Sequence, residues 1–233
     1  MSSRKPDPGS SLFVKAFWVI RHRPTHALSQ IRTYLTFWIQ HQLWTLFPSP
    51  GIELERNVRL QKRRCLMAEA PSAQIRIGAH SLIFENARIE AFGEGRIEIG
   101  EDSILSDVRI NSRGKITIGK RFLGAWGLFI QDCESHPVNS EQRGLQSQIS
   151  CRNFSPSWKA PGDSKLPQLD WNPKPGTIEI GDNVWIGANC SVFKNVKIGS
   201  GCIVASGSVV TAGEYPEKSL IAGNPARVVK TIS

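Results

Sequence analysis

The sequence predicts an all-β core built as a parallel β-helix, with a helical segment before it and one long loop inserted into it. The main observation is a run of six β-branched residues spaced by six: Ile180, Ile186, Val192, Ile198, Val204 and Val210. A period of six fits neither a helix, whose period is 3.6, nor a flat strand, whose period is 2. It is typical of a three-sided coil in which each side points one β-branched residue inward.

A second observation extends the repeat towards the N-terminus. The pattern Ile-x-Ile-Gly occurs at residues 75–78, 97–100, 116–119 and 178–181. The first three copies are 22 and 19 residues apart, close to the 18 residues of one three-sided coil. The extra residues fit as insertions at a corner, for example at residues 93–96, and small residues suit corners because the backbone turns sharply there.

Composition narrows the class of protein. The chain has 233 residues, 40% of them hydrophobic and 21% charged, which excludes a wholly disordered chain and a multi-span membrane protein. The net charge of +9 is concentrated in residues 1–70, where 11 Lys and Arg face 4 Asp and Glu, a balance of +7. Residues 71–233 hold 18 against 16, a balance of +2, so nucleic-acid binding by the whole chain is not expected.

The cysteines predict a reducing compartment. Their number is odd, and they form neither a C-x-x-C pair nor a disulfide framework: Cys65, Cys133, Cys151, Cys190 and Cys202. No signal peptide and no run of eighteen apolar residues is visible in the sequence. The expected location is therefore the cytoplasm.

Residues 1–50 are predicted to be a helical N-terminal segment, separate from a β-helix domain at 51–233. Apolar residues recur there at helical spacing, from Leu28 through Leu35 and Trp38 to Leu46, and the run ends at Pro48. Two interpretations are open. The stripe either lies on an anionic membrane surface, at the inner face of the cytoplasmic membrane, or packs on the body of the protein or a sister subunit.

The repeat is interrupted by a loop at about residues 131–177, which carries His136. A long loop without periodicity is usually functional or disordered. The other four histidines lie in the N-terminal segment or, for His80, within the repeat. His136 is therefore the histidine that stands outside both regular regions.

The stretch IGDNVWIGANCSVFKNVKIGSGCIVASGSVVTAGEYPEKSLIAGNPARVVKTI resembles the C-terminal half of the hexapeptide-repeat acyltransferases. The resemblance covers residues 75–233 and is greatest to maltose and galactoside O-acetyltransferases and to acetyltransferases of surface-polysaccharide biosynthesis. It implies a left-handed β-helix, an exception to the usual right-handed crossover. It also implies a homotrimer, with acetyl-CoA bound between neighbouring coils.

The segment SHPVNSEQR resembles the loop that carries the catalytic histidine of this family, and it makes His136 the candidate general base. A hydroxyl is a poor nucleophile at neutral pH, and a histidine side chain, with an ordinary pKa of about 6.5, can remove its proton. A second group should orient the imidazole. Asp132 is preferred, because related loops place an aspartate shortly before the histidine, with Glu134 and Glu141 as alternatives.

The same resemblance supplies candidate binding residues. Six are matched to the acetyl-CoA groove, with Arg227 expected at a phosphate: Trp185, Ala188, Ser206, Thr211, Arg227 and Lys230. Ala212 stands where many relatives have a basic residue, which leaves part of the phosphate contact open. On the acceptor side the match is weaker, and the candidates are Asp107, Asn111 and Glu141.

The predicted function is acetyl-CoA-dependent O-acetylation of a sugar hydroxyl in lipopolysaccharide, O-antigen or exopolysaccharide biosynthesis, without a metal ion. N-acetylation of a nucleotide-linked amino sugar is an alternative, since an amine acceptor also needs a base. A non-catalytic β-helix scaffold is an alternative of another class. A carbonic anhydrase on the same fold needs three zinc-binding histidines, and the coil region has only His80 and His136.

Overall fold

The computed structural model describes residues 24–153, 169 and 171–233. In this part the chain forms a parallel β-solenoid of about seven turns, which fits the predicted left-handed β-helix. Helix α1 (Pro24–Leu46) precedes the solenoid, a short 3₁₀ helix (Arg63–Cys65) lies in its first turn, and helix α2 (Ser140–Asn153) lies in the inserted loop. Residues 1–23 of the predicted helical segment, and 154–168 and 170 of the predicted loop, fall outside the described residues.

The solenoid has three faces, named here sheets A, B and C. Sheet A contains β1 (Ile52–Leu54), β4 (Gln74–Ile77), β7 (Arg96–Ile99), β10 (Lys115–Ile118), β13 (Thr177–Ile180), β16 (Val196–Ile198) and β19 (Gly213–Tyr215). Sheet B contains β2 (Arg59–Leu60), β5 (Leu82–Ile83), β8 (Ile104–Leu105), β11 (Leu123–Gly124), β14 (Trp185–Ile186), β17 (Ile203–Val204), β20 (Ser219–Gly223) and β21 (Ala226–Thr231). Sheet C contains β3 (Leu66–Ala68), β6 (Arg88–Ala91), β9 (Val108–Ser112), β12 (Leu128–Gln131), β15 (Ser191–Phe193) and β18 (Val209–Val210). Neighbouring strands pair in parallel except β20 and β21, which pair antiparallel.

The six residues of the hexapeptide period all point into the core. Ile180, Ile186 and Val192 lie on sheets A, B and C in turn, and Ile198, Val204 and Val210 repeat that order one turn later. All six are buried. Each stacks on its counterpart in the next turn, as Ile186 does on Val204. The predicted three-sided coil with one inward residue per side is confirmed.

The Ile-Gly pairs mark the corner between sheets A and B, where successive turns approach closely. A Cβ atom on Gly100 would lie 2.6 Å from the carbonyl carbon of Gly119 in the next turn, a distance that no side chain tolerates. The left-handed backbone of this corner falls two residues later, at Asp102 and Arg121 among others, whose φ angles are 58° and 55°. Glycine is therefore required here for close approach rather than for a positive φ.

The inserted loop is present, but it is not free of regular structure. Helix α2 was not predicted, and Asn139 caps it: its Oδ1 accepts a hydrogen bond from the backbone N–H of Gln142 at 3.0 Å. An Asn followed three residues later by Gln is a helix-start signal of the capping-box type. The prolines further along the loop obscured this signal in the sequence.

The N-terminal helical appendage is confirmed for α1, but its apolar stripe does not pack on the body. Trp44 is buried and joins the core beside Leu60, whereas Leu28, Leu35 and Trp38 are between 52% and 66% exposed. Within the described residues, neither helix is long and apolar enough to cross a membrane. The stripe therefore remains available on the surface of the single chain.

Candidate active site

The inserted loop leaves the solenoid at the end of β12, and Gln131 fixes its first residues. This side chain is buried on sheet C, and its Nε2 donates to the carbonyl oxygen of Cys133 and to Ser135 Oγ, the latter at 2.8 Å. The two hydrogen bonds turn the chain outward over four residues. They place His136 on an exposed part of the loop, followed by a buried Pro137.

Asp132 anchors the base of the loop. The side chain is fully buried, and its carboxylate accepts hydrogen bonds from Ser112 Oγ at 2.6 Å and from the backbone N–H groups of Arg113 and Gly114 at 2.8 and 3.0 Å. These donors satisfy a carboxylate that would otherwise be costly to bury. The structure thus directs Asp132 towards the neighbouring turn of the solenoid and does not join it to the imidazole of His136.

The imidazole of His136 has another partner, Gln146 of α2, whose Oε1 lies 2.9 Å from Nδ1. The other end of the same amide donates from Nε2 to the carbonyl oxygen of Ser135, at 3.4 Å. Sequence reasoning missed Gln146, because it lies ten residues beyond the histidine on a helix that was not predicted. The capping signal at Asn139 is the sequence feature that could have led to it.

The surroundings of the loop shift the pKa values of two further side chains, Glu134 and Cys133. Glu134 forms an ion pair with Lys194, and the hydrogen bond from Lys194 lowers the pKa of Glu134. Burial raises the pKa of the Cys133 thiol to about 11, with a contribution from the neighbouring carboxylate of Asp132. At neutral pH the loop therefore presents an ionised carboxylate that faces a lysine, and a protonated thiol.

The structure brings three of the predicted acetyl-CoA residues together at one corner, between sheets B and C. Trp185 lies on β14 of sheet B, just before this corner. Ala188 and Ser206 occupy equivalent corner positions in consecutive turns. Ser206 Oγ accepts a hydrogen bond from the backbone N–H of Ala188 at 3.1 Å. Asp107, a predicted acceptor residue, lies on the same corner lower in the solenoid, where its carbonyl oxygen accepts from Gly127 N at 2.8 Å.

An apolar surface borders this corner on sheet B. Trp185 is 48% exposed and stacks between Leu123 and Ile203 of the adjacent turns. A shallow cavity of about 230 Å³ lies there, lined by Ile104, Ser106, Leu123, Gly124, Ala125, Trp126 and Trp185. Trp126, which is 71% exposed, was not singled out from the sequence. Trp126 lies in the corner between β11 and β12, which explains its exposure. Corner residues do not follow the hexapeptide period, so the sequence pattern does not mark it.

The remaining cofactor candidates lie near the last turn. Thr211 follows β18, and its carbonyl oxygen accepts a hydrogen bond from the Tyr215 hydroxyl at 3.1 Å. Arg227 and Lys230 are exposed on β21, which folds back over β20. Thr211 therefore lies in the same turn as Ser206, whereas Arg227 and Lys230 lie two strands beyond β17 in sheet B.

The acceptor candidates are not brought together in the single chain. Asn111 lies on sheet C beside Gln131, and with its amide nitrogen turned towards Glu90 it donates to Oε2 over 3.2 Å. Glu141 is exposed in the first turn of α2. Asp107 lies at the corner just before β9, and Asn111 lies near the end of β9. The three candidates are therefore spread over the start of sheet C, its other end and the inserted loop.

Comparison with known proteins agrees with the repeat. Residues 177–212 match the family model described as bacterial transferase hexapeptide (six repeats). A protein of Escherichia coli K12 described as the putative lipopolysaccharide biosynthesis O-acetyl transferase WbbJ is 31% identical over 176 residues, which span 75% of this chain and 80% of that protein. A putative acetyltransferase of Staphylococcus aureus is 46% identical over 59 residues, 25% of this chain and 29% of its own length.

Solved structures share the fold. The polySia specific acetyltransferase NeuO superposes with a TM-score of 0.57 at 22% identity, over 77% of this chain and 66% of that one. AntD, an N-acyltransferase from Bacillus cereus crystallised with dTDP and 3-hydroxybutyryl-CoA, superposes with a TM-score of 0.58 at 20% identity, over 85% of this chain and 90% of that one. At these identities the likeness concerns the architecture.

Proposed function

This chain belongs to the hexapeptide-repeat acyltransferases, and we propose that it transfers an acetyl group from acetyl-CoA to a sugar hydroxyl in surface-polysaccharide biosynthesis. The observation that carries the proposal is the presentation of His136. Its imidazole is exposed on an anchored loop and is oriented by a hydrogen bond at Nδ1. The 31% identity to a putative lipopolysaccharide O-acetyl transferase over most of both chains supports a sugar acceptor.

The chemistry assigned to His136 is general-base catalysis. The ring nitrogen that does not face Gln146 accepts the proton of the acceptor hydroxyl as the hydroxyl oxygen bonds to the acetyl carbonyl carbon. The carbon–sulfur bond then breaks, and the imidazolium returns the proton to the sulfur of CoA. Atoms and charges balance without a metal ion, and the histidine ends in its starting state.

The corner between sheets B and C fits the acyl donor. Ala188 and Ser206 are small, and Trp185 offers an apolar wall beside them, so an extended chain with amide groups can approach the backbone there. Arg227 and Lys230 at the adjacent end of the solenoid supply cations for phosphates. The N-acyltransferase AntD was crystallised with an acyl-CoA on the same fold.

A homotrimer is part of the proposal, because one chain alone separates the two halves of the site. The His136 loop leaves sheet C at the far end of β12, whereas Trp185 and Ser206 lie at the corner where sheet C begins. A four-residue strand such as β12 is about 13 Å long at 3.3 Å per residue. The exposed apolar surface around Leu123 and Trp185 gives a neighbouring copy something to pack on.

Replacement of the base tests the proposal. We expect His136→Ala to lower turnover by about 100-fold or more, since general-base catalysis contributes roughly 10²- to 10⁴-fold. The affinity for acetyl-CoA, measured by calorimetry, should remain nearly unchanged. His80→Asn, at an exposed corner with a φ of 62°, is the matched control and should keep full turnover. Retention of more than half of the turnover by His136→Ala, with chemistry rate-limiting, would refute the assignment.

Product analysis separates the proposed reaction from its alternatives. An O-acetyl ester is cleaved by mild base, whereas an N-acetyl amide on an amino sugar survives, so mass and linkage before and after treatment identify the acceptor atom. Failure to bind acetyl-CoA at all would instead favour a non-catalytic scaffold.

A further inference from the structure

We propose that Gln146 is a positioning residue that sets the tautomer of His136, an inference that rests on the proposed role of His136 as general base. A neutral imidazole carries its proton on one ring nitrogen, and only the other can accept a proton from a hydroxyl. The partner at Nδ1 therefore decides whether Nε2 can act as the base.

The two ends of the Gln146 amide determine that choice. A carbonyl oxygen can only accept hydrogen bonds, so the carbonyl of Ser135, 3.4 Å away, must face the Nε2 amino group of Gln146. The amide oxygen Oε1 is then left facing Nδ1 of His136 at 2.9 Å. Because an amide oxygen also only accepts, Nδ1 must carry the proton, and the lone pair lies on Nε2 of the imidazole.

Helix α2 holds this arrangement from both sides of the histidine. Gln146 contacts Ser135 before His136, and Arg143, one turn earlier, donates from Nη1 to the carbonyl oxygens of Pro137 and Val138 at 3.0 and 2.8 Å. The two side chains emerge from the same face of α2, three residues apart. These hydrogen bonds fix the backbone of residues 135–138 against α2. The imidazole therefore has little freedom to turn its other nitrogen towards Gln146.

The charge of this partner matters as well as its position. An amide is neutral, whereas the aspartate expected at this place would stabilise the imidazolium. Among the described residues, the charged groups around the loop are Glu134, paired with Lys194, Lys174 beside that pair, the buried Asp132 with Arg113 near it, and Glu141, Arg143 and Arg152 on α2. All of these stay unchanged when residue 146 is replaced, so a change in pH dependence reports on that residue.

The first experiment reads the tautomer directly and needs no acceptor. Full-length protein labelled with ¹⁵N-histidine is compared with Gln146→Leu by long-range ¹H–¹⁵N correlation NMR above the pH of imidazole protonation, with His136→Ala used to assign the signal. We expect a protonated Nδ1 and an unprotonated Nε2 in the wild type. In Gln146→Leu the population should move to the opposite tautomer. A wild-type signal with the proton on Nε2 would overturn the proposal.

The second experiment measures its catalytic effect. Gln146→Leu should lower kcat by about tenfold, part of the general-base contribution of roughly 10²- to 10⁴-fold, with KM for acetyl-CoA unchanged. Gln146→Glu should restore an acceptor at Nδ1 and recover kcat, but shift the acidic limb of the kcat/KM profile to higher pH. Gln148→Leu, an exposed position on the same helix, is the matched control.

The outcomes distinguish the two proposals. Full activity of His136→Ala would refute the general-base assignment, whatever the tautomer of His136. Loss of activity in His136→Ala together with wild-type tautomer, kcat and pH profile in Gln146→Leu would refute the role of Gln146 alone. Equal losses in Gln146→Leu and Gln146→Glu, with no shift of the pH profile, would show a purely structural role and also contradict this inference.

Discussion

Arg227 is an exposed side chain with unused hydrogen-bonding capacity. Its Nη1 donates to the carbonyl oxygen of Ala226 at 2.8 Å, which uses one of the five N–H donors of the guanidinium. The planar fork can still bind a phosphate through two parallel hydrogen bonds. Lys230 is exposed on the same strand, β21, so both cations lie at the end of the solenoid where the nucleotide of CoA is proposed to bind.

We predict that Arg227→Ala weakens the binding of acetyl-CoA more than that of acetyl-pantetheine, which lacks the nucleotide phosphates. The expected loss for acetyl-CoA is about 1.5–3 kcal/mol, typical of a hydrogen bond to a charged group. Calorimetry with both donors measures the difference. Arg96→Ala, an exposed arginine on sheet A, is the matched control. Equal losses for both donors would mean that Arg227 does not contact a phosphate.

The sequence identified His136 as a candidate but not its partner. His136 stood out because it lies on the loop that breaks the repeat and in a family motif. Asp132 is the predicted orienting group because related loops place an aspartate shortly before the histidine, yet its carboxylate faces Ser112 in the preceding turn. Proximity in sequence gives no side-chain direction, and the partner that the structure supplies, Gln146, depends on how α2 folds back.

Among the elements, α2 can be destabilised at its N-cap, Asn139, without changing a residue that contacts the imidazole. Asn139→Ala removes the side-chain oxygen that accepts from Gln142 N at 3.0 Å, and such caps contribute about 0.5–2 kcal/mol. We expect faster amide hydrogen exchange over residues 140–146 and a lower kcat, because Gln146 is then held less firmly. Asn139→Asp keeps an accepting oxygen and should behave as wild type. Unchanged exchange and kcat in Asn139→Ala would disprove this link.

The elements differ in how far the sequence could predict them. The β-helix was readable because each turn buries the same kind of residue at the same spacing, as Ile186 and Val204 do on sheet B. Helix α2 repeats nothing, and residues 140–153 have few apolar side chains to mark a buried face. The corner at Trp126 could not be predicted either, since an exposed aromatic leaves no periodic trace.

For the molecule as a whole, the exposed apolar side chains of α1 are the feature with the widest consequence. Leu28, Ile31, Leu35, Trp38 and Ile39 are each at least 47% exposed. The helix belongs to the segment 1–70, whose charge balance is +7, and three copies in a trimer would add their affinities. We propose that it attaches the protein to an anionic membrane surface, where each nearby Lys or Arg contributes about 1 kcal/mol.

We expect the full chain to sediment with vesicles that contain phosphatidylglycerol and not with neutral phosphatidylcholine vesicles at low salt. The double variant Leu35→Glu with Trp38→Glu should lose this binding but keep activity on a small soluble acceptor. It is preferable to deleting residues 1–50, because Trp44 is part of the core. If the variant loses its trimer in analytical ultracentrifugation, the stripe packs on another copy. If the full chain ignores anionic vesicles, the membrane proposal is wrong.

The antiparallel strand β21 closes the last turn of sheet B by pairing with β20, and α1 places Trp44 over the first turn beside Leu60. A stack of identical parallel turns has no intrinsic length, since each turn presents the edge on which the next one forms. An open edge of this kind is a template for other chains. Without Ala226–Thr231, β20 would become the outer strand of sheet B, and its open edge could pair with a strand of another chain. Strand β21 is itself an edge strand, but it runs against the direction of the repeat, so it does not present the parallel edge on which another turn of the solenoid would form.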